Sequence, residues 1–276
     1  MKNPVTVVWA LVLVIGTAAL GLAQYRGRSR SNPLAGRQPE WQNDRRFQKD
    51  VFTFVRVQYD SGGGSRGYGR YQKWATDFPD SDLNFSFRLQ QMTALKVNPE
   101  PKVLALTDPE LYGYPWIYIV EPGDLLFSEQ EVMTLRAYLL NGGFLMVDDF
   151  WGEREWANFH QQIRRVFPDR EIVDLPLDHP VFHCLFDIKE KPQIPNIQLG
   201  IESQYTGITW ERPDAREAHV RGISDDQGRL MVIACHNTDL GDGWEREGEN
   251  AYYFHEFSEK KAYPLGINIV FYAMTH

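Results

Sequence analysis

The amino-acid sequence predicts a doubly wound α/β domain with a mostly parallel central sheet, because short apolar runs alternate with amphipathic segments. The runs KVLALT (102–107) and WIYIVE (116–121) are bounded by proline and glycine, as expected for strands that are buried on both faces. A capping box at 128–131 opens the clearest helix, and an Asn-Gly pair closes it. GGFLMV (142–147) then predicts a strand, and apolar residues at helical spacing follow it. Such alternation is typical of βαβ units.

The same signals predict the other elements in order along the chain. Apolar residues of VFTFVRVQYD (51–60) predict a first strand, which ends at the glycine-dense loop SGGGSRGYGR (61–70). Acidic and serine residues at 80–82 can cap a helix that we expect from about Leu83. The less regular part that follows is predicted to hold a strand near Glu171 to Asp174, a strand at RLMVIACHN (229–237) and a closing helix at 262–276.

The first 23 residues predict export from the cytoplasm. Val5 to Ala23 is an uncharged apolar run of roughly bilayer-spanning length. Gly21-Leu22-Ala23 offers the small residues that a signal peptidase needs, which favours a cleaved signal peptide. The length of the run and the arginines after it favour an uncleaved membrane anchor instead. Both alternatives predict a periplasmic or extracellular protein, and the second adds membrane association through residues 5–23.

The chain is expected to continue as a basic flexible linker at 24–48 and a single α/β domain at 49–276. The whole chain has a formal net charge of -8, whereas residues 51–276 carry -13. An acidic domain repels a phosphate backbone, so no nucleic-acid partner is predicted. Cys184 and Cys235 allow either one disulfide or two buried free thiols, and they lack zinc-type spacing.

The segment DDFWG (148–152) lies where a predicted strand turns into a helix. Ligands and catalytic groups of α/β sheets gather at such junctions. Side chains alternate along a strand, so Asp148 and Asp149 are expected to point to opposite faces and not to share a proton or metal. One of them can cap the helix, and Asp149 can face a cleft.

Several motifs together resemble a known family. They are SDLNFSFRLQQMT (81–93), GGFLMVDDFWG (142–152), DHPVF (178–182), ACHNTDLGDGW (234–244) and YPLGINIVFYAMTH (263–276). As a set, over roughly residues 50 to 276, they are similar to the bacterial domain-of-unknown-function family numbered 4159. This resemblance implies a flavodoxin-like fold of the class I glutamine amidotransferase type, with distant similarity to trehalose-utilisation proteins of the ThuA type. It implies no settled activity.

The resemblance also indicates which chemistry is disfavoured. Class I amidotransferases carry a cysteine nucleophile on the strained turn after the strand, and a histidine at the end of a later strand activates it. Here DDFWG holds that turn without cysteine or serine. His236 occupies the histidine position, but Asn237 and Thr238 follow it where a Pro-Glu pair is expected. A histidine without its nucleophile cannot hydrolyse amides, so glutamine amidotransferase activity is disfavoured.

Two loops carry further polar candidates. Asn237, Asp239 and Asp242 lie in a glycine-rich stretch after His236, a composition that fits a polar ligand site, a hard cation such as Ca²⁺ or a plain turn. The EF-hand spacing is missing, so Asp239 and Asp242 are only weak metal candidates. The segment 74–80 combines a tryptophan with carboxylates, which suits either sugar stacking or a lid on the core. The glycine-dense loop 61–70 can hold an anion or be a flexible surface loop.

These observations predict a non-catalytic ligand-binding or interaction module of the cell envelope without a cofactor. Its partner would be a small polar ligand or an envelope protein. The alternative is a hydrolase of a carbohydrate or related small molecule, with Asp149 or Asp239 as general base and His236 as acid or orienting group. That enzyme needs all three in one pocket. The predicted ligand-binding residues are Tyr59, Trp74, Asp77, Asp149, His236, Asn237 and Asp239.

Overall fold

The computed structural model describes residues 39, 41–44, 50–61 and 72–276. Within them the strands are β1 Val55–Gln58, β2 Asp60–Ser61, β3 Lys102–Ala105, β4 Trp116–Val120, β5 Leu125–Leu126, β6 Phe144–Asp148, β7 Val173–Asp174, β8 His219–Ser224 and β9 Leu230–His236. The α-helices are α1 Asp80–Met92, α2 Glu129–Leu140, α3 Gly152–Val166, α4 Ile197–Thr206, α5 Leu240–Glu245, α6 Ala251–Tyr253 and α7 Tyr263–Thr275. Short 3-10 helices span Lys73–Ala75, Pro109–Gly113, Pro122–Asp124 and Pro180–Phe182, and a π-helix spans Phe254–Ala262.

The central sheet has seven strands in the order β3-β1-β4-β6-β9-β8-β7. The first five of these run parallel. β8 pairs antiparallel with β9, and β7 pairs antiparallel with β8. The predicted doubly wound, mostly parallel, flavodoxin-like α/β architecture is thereby confirmed. All five parallel strands have their carboxyl ends at the same edge of the sheet.

Helices cover both faces of this sheet and give three layers. In β4, Trp116, Tyr118 and Val120 belong to the core under α1, α5 and α7, whereas Ile117 and Ile119 belong to the core under α2 and α3. Both sets are buried, because successive side chains of a strand point to opposite faces and each face has a helical layer. This double burial explains why the parallel strands are continuous apolar runs in the sequence.

The predicted capping box is present at the start of α2. Ser128 Oγ accepts a hydrogen bond from Glu131 N at 3.3 Å, and Ser128 N donates to the Glu131 carboxylate at 2.7 Å. These two bonds satisfy donors that the first turn of a helix leaves free.

Several boundaries differ from the predicted ones. β1 begins at Val55, because Phe52 makes only an isolated bridge with Val97. α1 begins at Asp80 and not near Leu83, since its first turn includes acidic residues that the helix dipole favours. Near Glu171 to Asp174, only the last two residues form a strand.

Cys184 and Cys235 are free thiols in the structure, Cys184 half-buried and Cys235 buried. The predicted export segment at 5–23 and most of the predicted linker lie outside the described residues, as does most of the glycine-dense loop. Among the helices in the described part of the chain, none has the length and apolarity to cross a bilayer.

Candidate functional site

Four non-glycine residues with positive φ lie at or beside the carboxyl edge of the parallel strands. Asp77, Glu121, Asp149 and Asn237 have φ values of 62°, 47°, 56° and 61°. The last three directly follow β4, β6 and β9. A left-handed backbone costs a non-glycine residue roughly 1–3 kcal/mol. Strain that recurs at one edge of a sheet is typical of a functional site.

Asp77, Asp149 and Asp239 form an acidic triad at this edge. Each residue contributes one carboxylate oxygen, and these three oxygens lie within 4.8 Å of one another. Asp77 precedes α1, Asp149 occupies the turn between β6 and α3, and Asp239 precedes α5. The fold therefore brings together carboxylates from three separate parts of the chain.

Close approach of the backbone at Gly241 makes the triad compact. A Cβ atom on Gly241 would lie 2.5 Å from Asp77 Oδ2 and 3.3 Å from Asp239 Oδ1. Gly241 N donates to Asp148 Oδ2 at 3.0 Å, and the Tyr118 hydroxyl donates to the same oxygen at 3.2 Å. Burial raises the pKa of Asp148 to about 7. A glycine is thus needed where carboxylates meet the start of α5.

The triad carboxyls hold their protons more tightly than ordinary aspartates. Burial raises the pKa of Asp77, Asp149 and Asp239 well above the usual range. Repulsion between carboxylates adds to this effect on pKa: Glu245 acts on Asp77, Glu121 on Asp149, and Asp149 on Asp239. Ionising the whole triad without a cation is therefore unfavourable.

Arg56 is close enough to attract Asp77, but its hydrogen-bond donors are engaged elsewhere. They reach the Asp82 carboxylate, Ser81 Oγ and the carbonyls of Trp74 and Thr76. A guanidinium has five N–H donors, and these contacts use all of them. Asp77 Oδ2 is buried and has no hydrogen-bond partner in the described part of the chain. Arg56 therefore fixes the loop that carries Asp77 without neutralising the triad by direct contact.

A second group of carboxylates, Asp77, Asp242 and Glu245, also lies within 4.8 Å. This group has its own counter-ion, because Arg246 Nε lies 2.8 Å from Glu245 and 3.5 Å from Asp242. Asp242 also accepts a hydrogen bond from Ile197 N at 2.9 Å. The two groups differ in charge balance: across the described residues, no lysine or arginine pairs with a member of the acidic triad.

His236 does not join the carboxylates with which sequence analysis grouped it. Its ring lies on the other side of β9, 5.3 Å from the Trp156 ring. Its Nε2 contacts Gly152 O at 3.2 Å, and its Nδ1 contacts Arg221 Nη1 at 2.7 Å. Both ring nitrogens are therefore engaged. The pocket required by the hydrolase with a histidine acid does not form around the triad.

The other three predicted ligand-binding residues, Trp74, Tyr59 and Asn237, make contacts within the fold. Of the two alternatives for Trp74, sugar stacking or a lid on the core, the structure favours the second, because Trp74 is only 8% exposed and packs in the core under α2 and α3. Tyr59 is 5% exposed, and its hydroxyl donates to the carbonyls of Val120 and Glu121 at 2.8 and 2.7 Å.

Asn237 connects the turn between β6 and α3, called the elbow here, to the end of β9. Its Oδ1 accepts from Gly152 N, its backbone N donates to Phe150 O, and its Nδ2 donates to Glu217 O. This network positions the turn that carries Asp149. Asn237 thus positions the site and does not face it.

Sequence reasoning did not single out Tyr118, Gly241 or Glu245, which border the triad. Tyr118 lies in an apolar strand run, so only its hydroxyl could have marked it as polar. Gly241 follows Asp239 in a glycine-rich loop, and that spacing was the available signal. Glu245 becomes part of the site because α5 places it one turn after Gly241.

Replacing Asp149 with asparagine is expected to stabilise the metal-free protein at pH 8 by about 1 kcal/mol. Asparagine tolerates the positive φ and keeps the oxygen that accepts from Trp151 Nε1, while it removes a repelled charge. Urea unfolding measures the change, with Glu129→Gln at an exposed position as control. A loss of stability in Asp149→Asn would show that the charge is compensated in the free protein.

A profile of a protein family whose description reads domain of unknown function (DUF4159) matches residues 53–274 of this chain. No curated protein matches the chain.

Proposed function

We propose that this chain, which belongs to the DUF4159 family, is an exported, non-catalytic binding module of the bacterial cell envelope that holds a hard divalent cation in its acidic triad. The observation that carries the proposal is the convergence of Asp77, Asp149 and Asp239 without a basic partner in the described part of the chain. Export is inferred from the apolar run at 5–23. The elbow position of Asp149 supports the inferred kinship with amidotransferase-like folds.

The donor set suits a hard cation. Carboxylate oxygens are the ligands that Ca²⁺ and Mg²⁺ prefer, and Ca²⁺ binds them at about 2.3–2.6 Å. Oxygens that lie within 4.8 Å of one another can therefore share one such ion. Among the described residues, the triad offers no sulfur or imidazole ligand, which disfavours zinc and copper.

The electrostatics of the triad point the same way. Asp239 is buried and Asp77 and Asp149 are half-buried, and the raised pKa values of all three mean that ionising them costs free energy. A divalent cation would offset both the repulsion and the desolvation. In the second group, the positive charge of Arg246 already offsets the repulsion between Asp242 and Glu245. Among the described residues no lysine or arginine pairs with the triad, so the triad and not the second group is the proposed ligand set.

Thermal unfolding of the full-length chain in mild detergent at pH 7.5 tests the proposal. With Ca²⁺ at about 100 times its Kd, the free energy of unfolding gains about 2.7 kcal/mol, which raises Tm by roughly 5–10 °C. Mg²⁺ and Mn²⁺ serve as further hard cations, and spermidine tests an organic cation. Asp149→Asn and Asp239→Asn remove a ligand charge and are expected to abolish the shift.

Glu129→Gln is the matched control, because it removes one exposed carboxylate far from the triad and should retain the full shift. A shift with spermidine and none with metal ions would replace the divalent cation with an organic one. If no cation raises Tm, or if the triad variants respond as the parent does, the proposal is wrong.

A second candidate function is hydrolysis of a carbohydrate or related small molecule. It is favoured by Asp149, whose raised pKa lets a carboxylic acid donate a proton near neutral pH beside other carboxylates. Chromogenic glycosides are the probes. Turnover that Asp149→Asn eliminates would favour this candidate over a binding module, and His236 has no part in it because its ring nitrogens are engaged.

A further inference from the structure

We propose that Arg221 forms a second binding site, which takes an oxyanion group, a carboxylate or a phosphate, on the α3-covered face of β8 and β9. The site consists of Arg221 and its supports Trp156 and His236, with His219 beside them. It is independent of the acidic triad in residues and in the charge of its ligand.

A buried histidine fixes one side of the guanidinium. Arg221 Nη1 lies 2.7 Å from His236 Nδ1, and His236 Nε2 lies 3.2 Å from Gly152 O. A carbonyl oxygen only accepts, so Nε2 carries the proton and Nδ1 accepts from Arg221. Burial lowers the pKa of His236 to about 4, which keeps the ring neutral at physiological pH. The histidine therefore orients the arginine as a neutral acceptor.

A tryptophan fixes the plane of the same group. The guanidinium carbon of Arg221 lies 4.0 Å from the centroid of the Trp156 ring. Stacking of this kind holds a guanidinium flat against the ring and leaves its edges free for hydrogen bonds. One contact holds Nη1 and the other holds the guanidinium carbon over the ring, so the group is fixed from two sides before a ligand binds to its Nε–Nη2 edge.

That edge has no acidic partner in the described residues. The nearby Asp174 lies 2.8 Å from Lys191 and 3.5 Å from His219, and no carboxylate of the described chain lies within ion-pair distance of Arg221. Burial lowers the pKa of the half-buried Arg221, and the carboxylates of Asp174 and Glu153, which act from beyond ion-pair distance, raise it by less. An oxyanion would supply the missing charge and accept both N–H groups of the edge.

Arg216 shows what distinguishes this arginine. It also lies over a tryptophan, at 5.6 Å from the Trp210 ring, but it is exposed, and no described residue holds it from a second side. A free arginine of this kind loses side-chain entropy when it binds an anion, whereas Arg221 is already ordered. Arg216→Gln is therefore a matched control variant.

The test measures Tm of the full-length chain in mild detergent against sodium acetate or inorganic phosphate, with sodium chloride matching the ionic strength. We expect one of the two anions to raise Tm with a saturable dose response. Comparing the acetate and phosphate titrations distinguishes a carboxylate site from a phosphate site. Arg221→Lys keeps the positive charge but loses the planar pair of N–H donors, so the affinity for the anion should fall about tenfold. Arg221→Gln should abolish the response, and Arg216→Gln should retain it.

Near-ultraviolet circular dichroism of each variant without anion checks that its packing is intact. Arg221→Lys is the second line of evidence if Arg221→Gln unfolds, because it preserves the cation. No response to either anion beyond that of chloride would overturn the proposal. An equal response in the parent and Arg221→Lys would do the same, because an unspecific charge effect does not require the planar N–H donors of arginine.

Discussion

Replacing Arg56 with methionine is expected to lower the free energy of unfolding by about 3–5 kcal/mol. Arg56 and Asp82 are fully buried, and Arg56 Nε lies 3.0 Å from Asp82 Oδ2. Burial alone would lower the pKa of Arg56, but the ion pair with Asp82 raises it above its ordinary value. Methionine fills much of the volume and leaves the Asp82 charge without a partner, which is the costly outcome. Urea unfolding measures it.

The surface ion pair of Arg170 and Asp226 provides the control. Asp226 is 88% exposed in that pair, so Asp226→Asn should change the free energy of unfolding by less than about 1 kcal/mol. The double variant Arg56→Met/Asp82→Leu removes both buried charges and should recover part of the loss. If the single Arg56 variant costs no more than the surface control, the buried pair does not hold the loop that carries Asp77.

Metal-free protein is expected to become less stable as pH rises from about 4 to 8. The carboxyls of Asp77, Asp149 and Asp239 have pKa values above those of the unfolded chain, so the folded state binds more protons in this range. Stability from this excess is complete below the unfolded pKa of about 4 and is lost as pH rises through the raised values. Asp148, with a pKa raised to about 7, adds to the loss near neutral pH.

Saturating Ca²⁺ is expected to remove most of this pH dependence at the upper end, because the cation takes the place of the protons. Calorimetric titration at pH 6.5 in two buffers of different ionisation enthalpy should show proton release on binding. Asp149→Asn should show a flatter pH profile without cation, while Glu129→Gln should follow the parent. A parent profile that rises steadily from pH 4 to 8 would contradict the raised pKa values.

The sequence predicted the layered architecture because local and tertiary signals agree in the core. The run at β4 is apolar on both faces, and the capping box marks the start of α2 whatever surrounds it. Sequence signals did not predict the elements whose conformation depends on tertiary packing. β8 reads HVRGIS, and its histidine and arginine obscure a strand that lies between β9 and β7 in the sheet. Gly243 lies close against Ala262, the last residue of the π-helix at Phe254–Ala262, and such a tertiary contact leaves no local signal.

The candidate site was likewise predicted in part from the sequence. Asp77, Asp149 and Asp239 were candidates because carboxylates after strands are visible in the sequence, and the parallel topology brings them together. His236 was grouped with them because it occupies the position of the amidotransferase histidine and is near Asp239 in the chain. The alternation of β9 turns its ring to the opposite face, where Arg221 binds it. A residue's distance along the chain says little about which side of a sheet it will occupy.

The three carboxylates of the triad lie on three segments that are far apart in the sequence. An ion shared among them would act as a reversible crosslink between the loop before α1, the elbow after β6 and the turn before α5. Hydrogen exchange at the amides of Asp77, Asp149 and Gly241 would then slow together when Ca²⁺ is added. Binding of one ion would thereby make a whole edge of the domain more rigid.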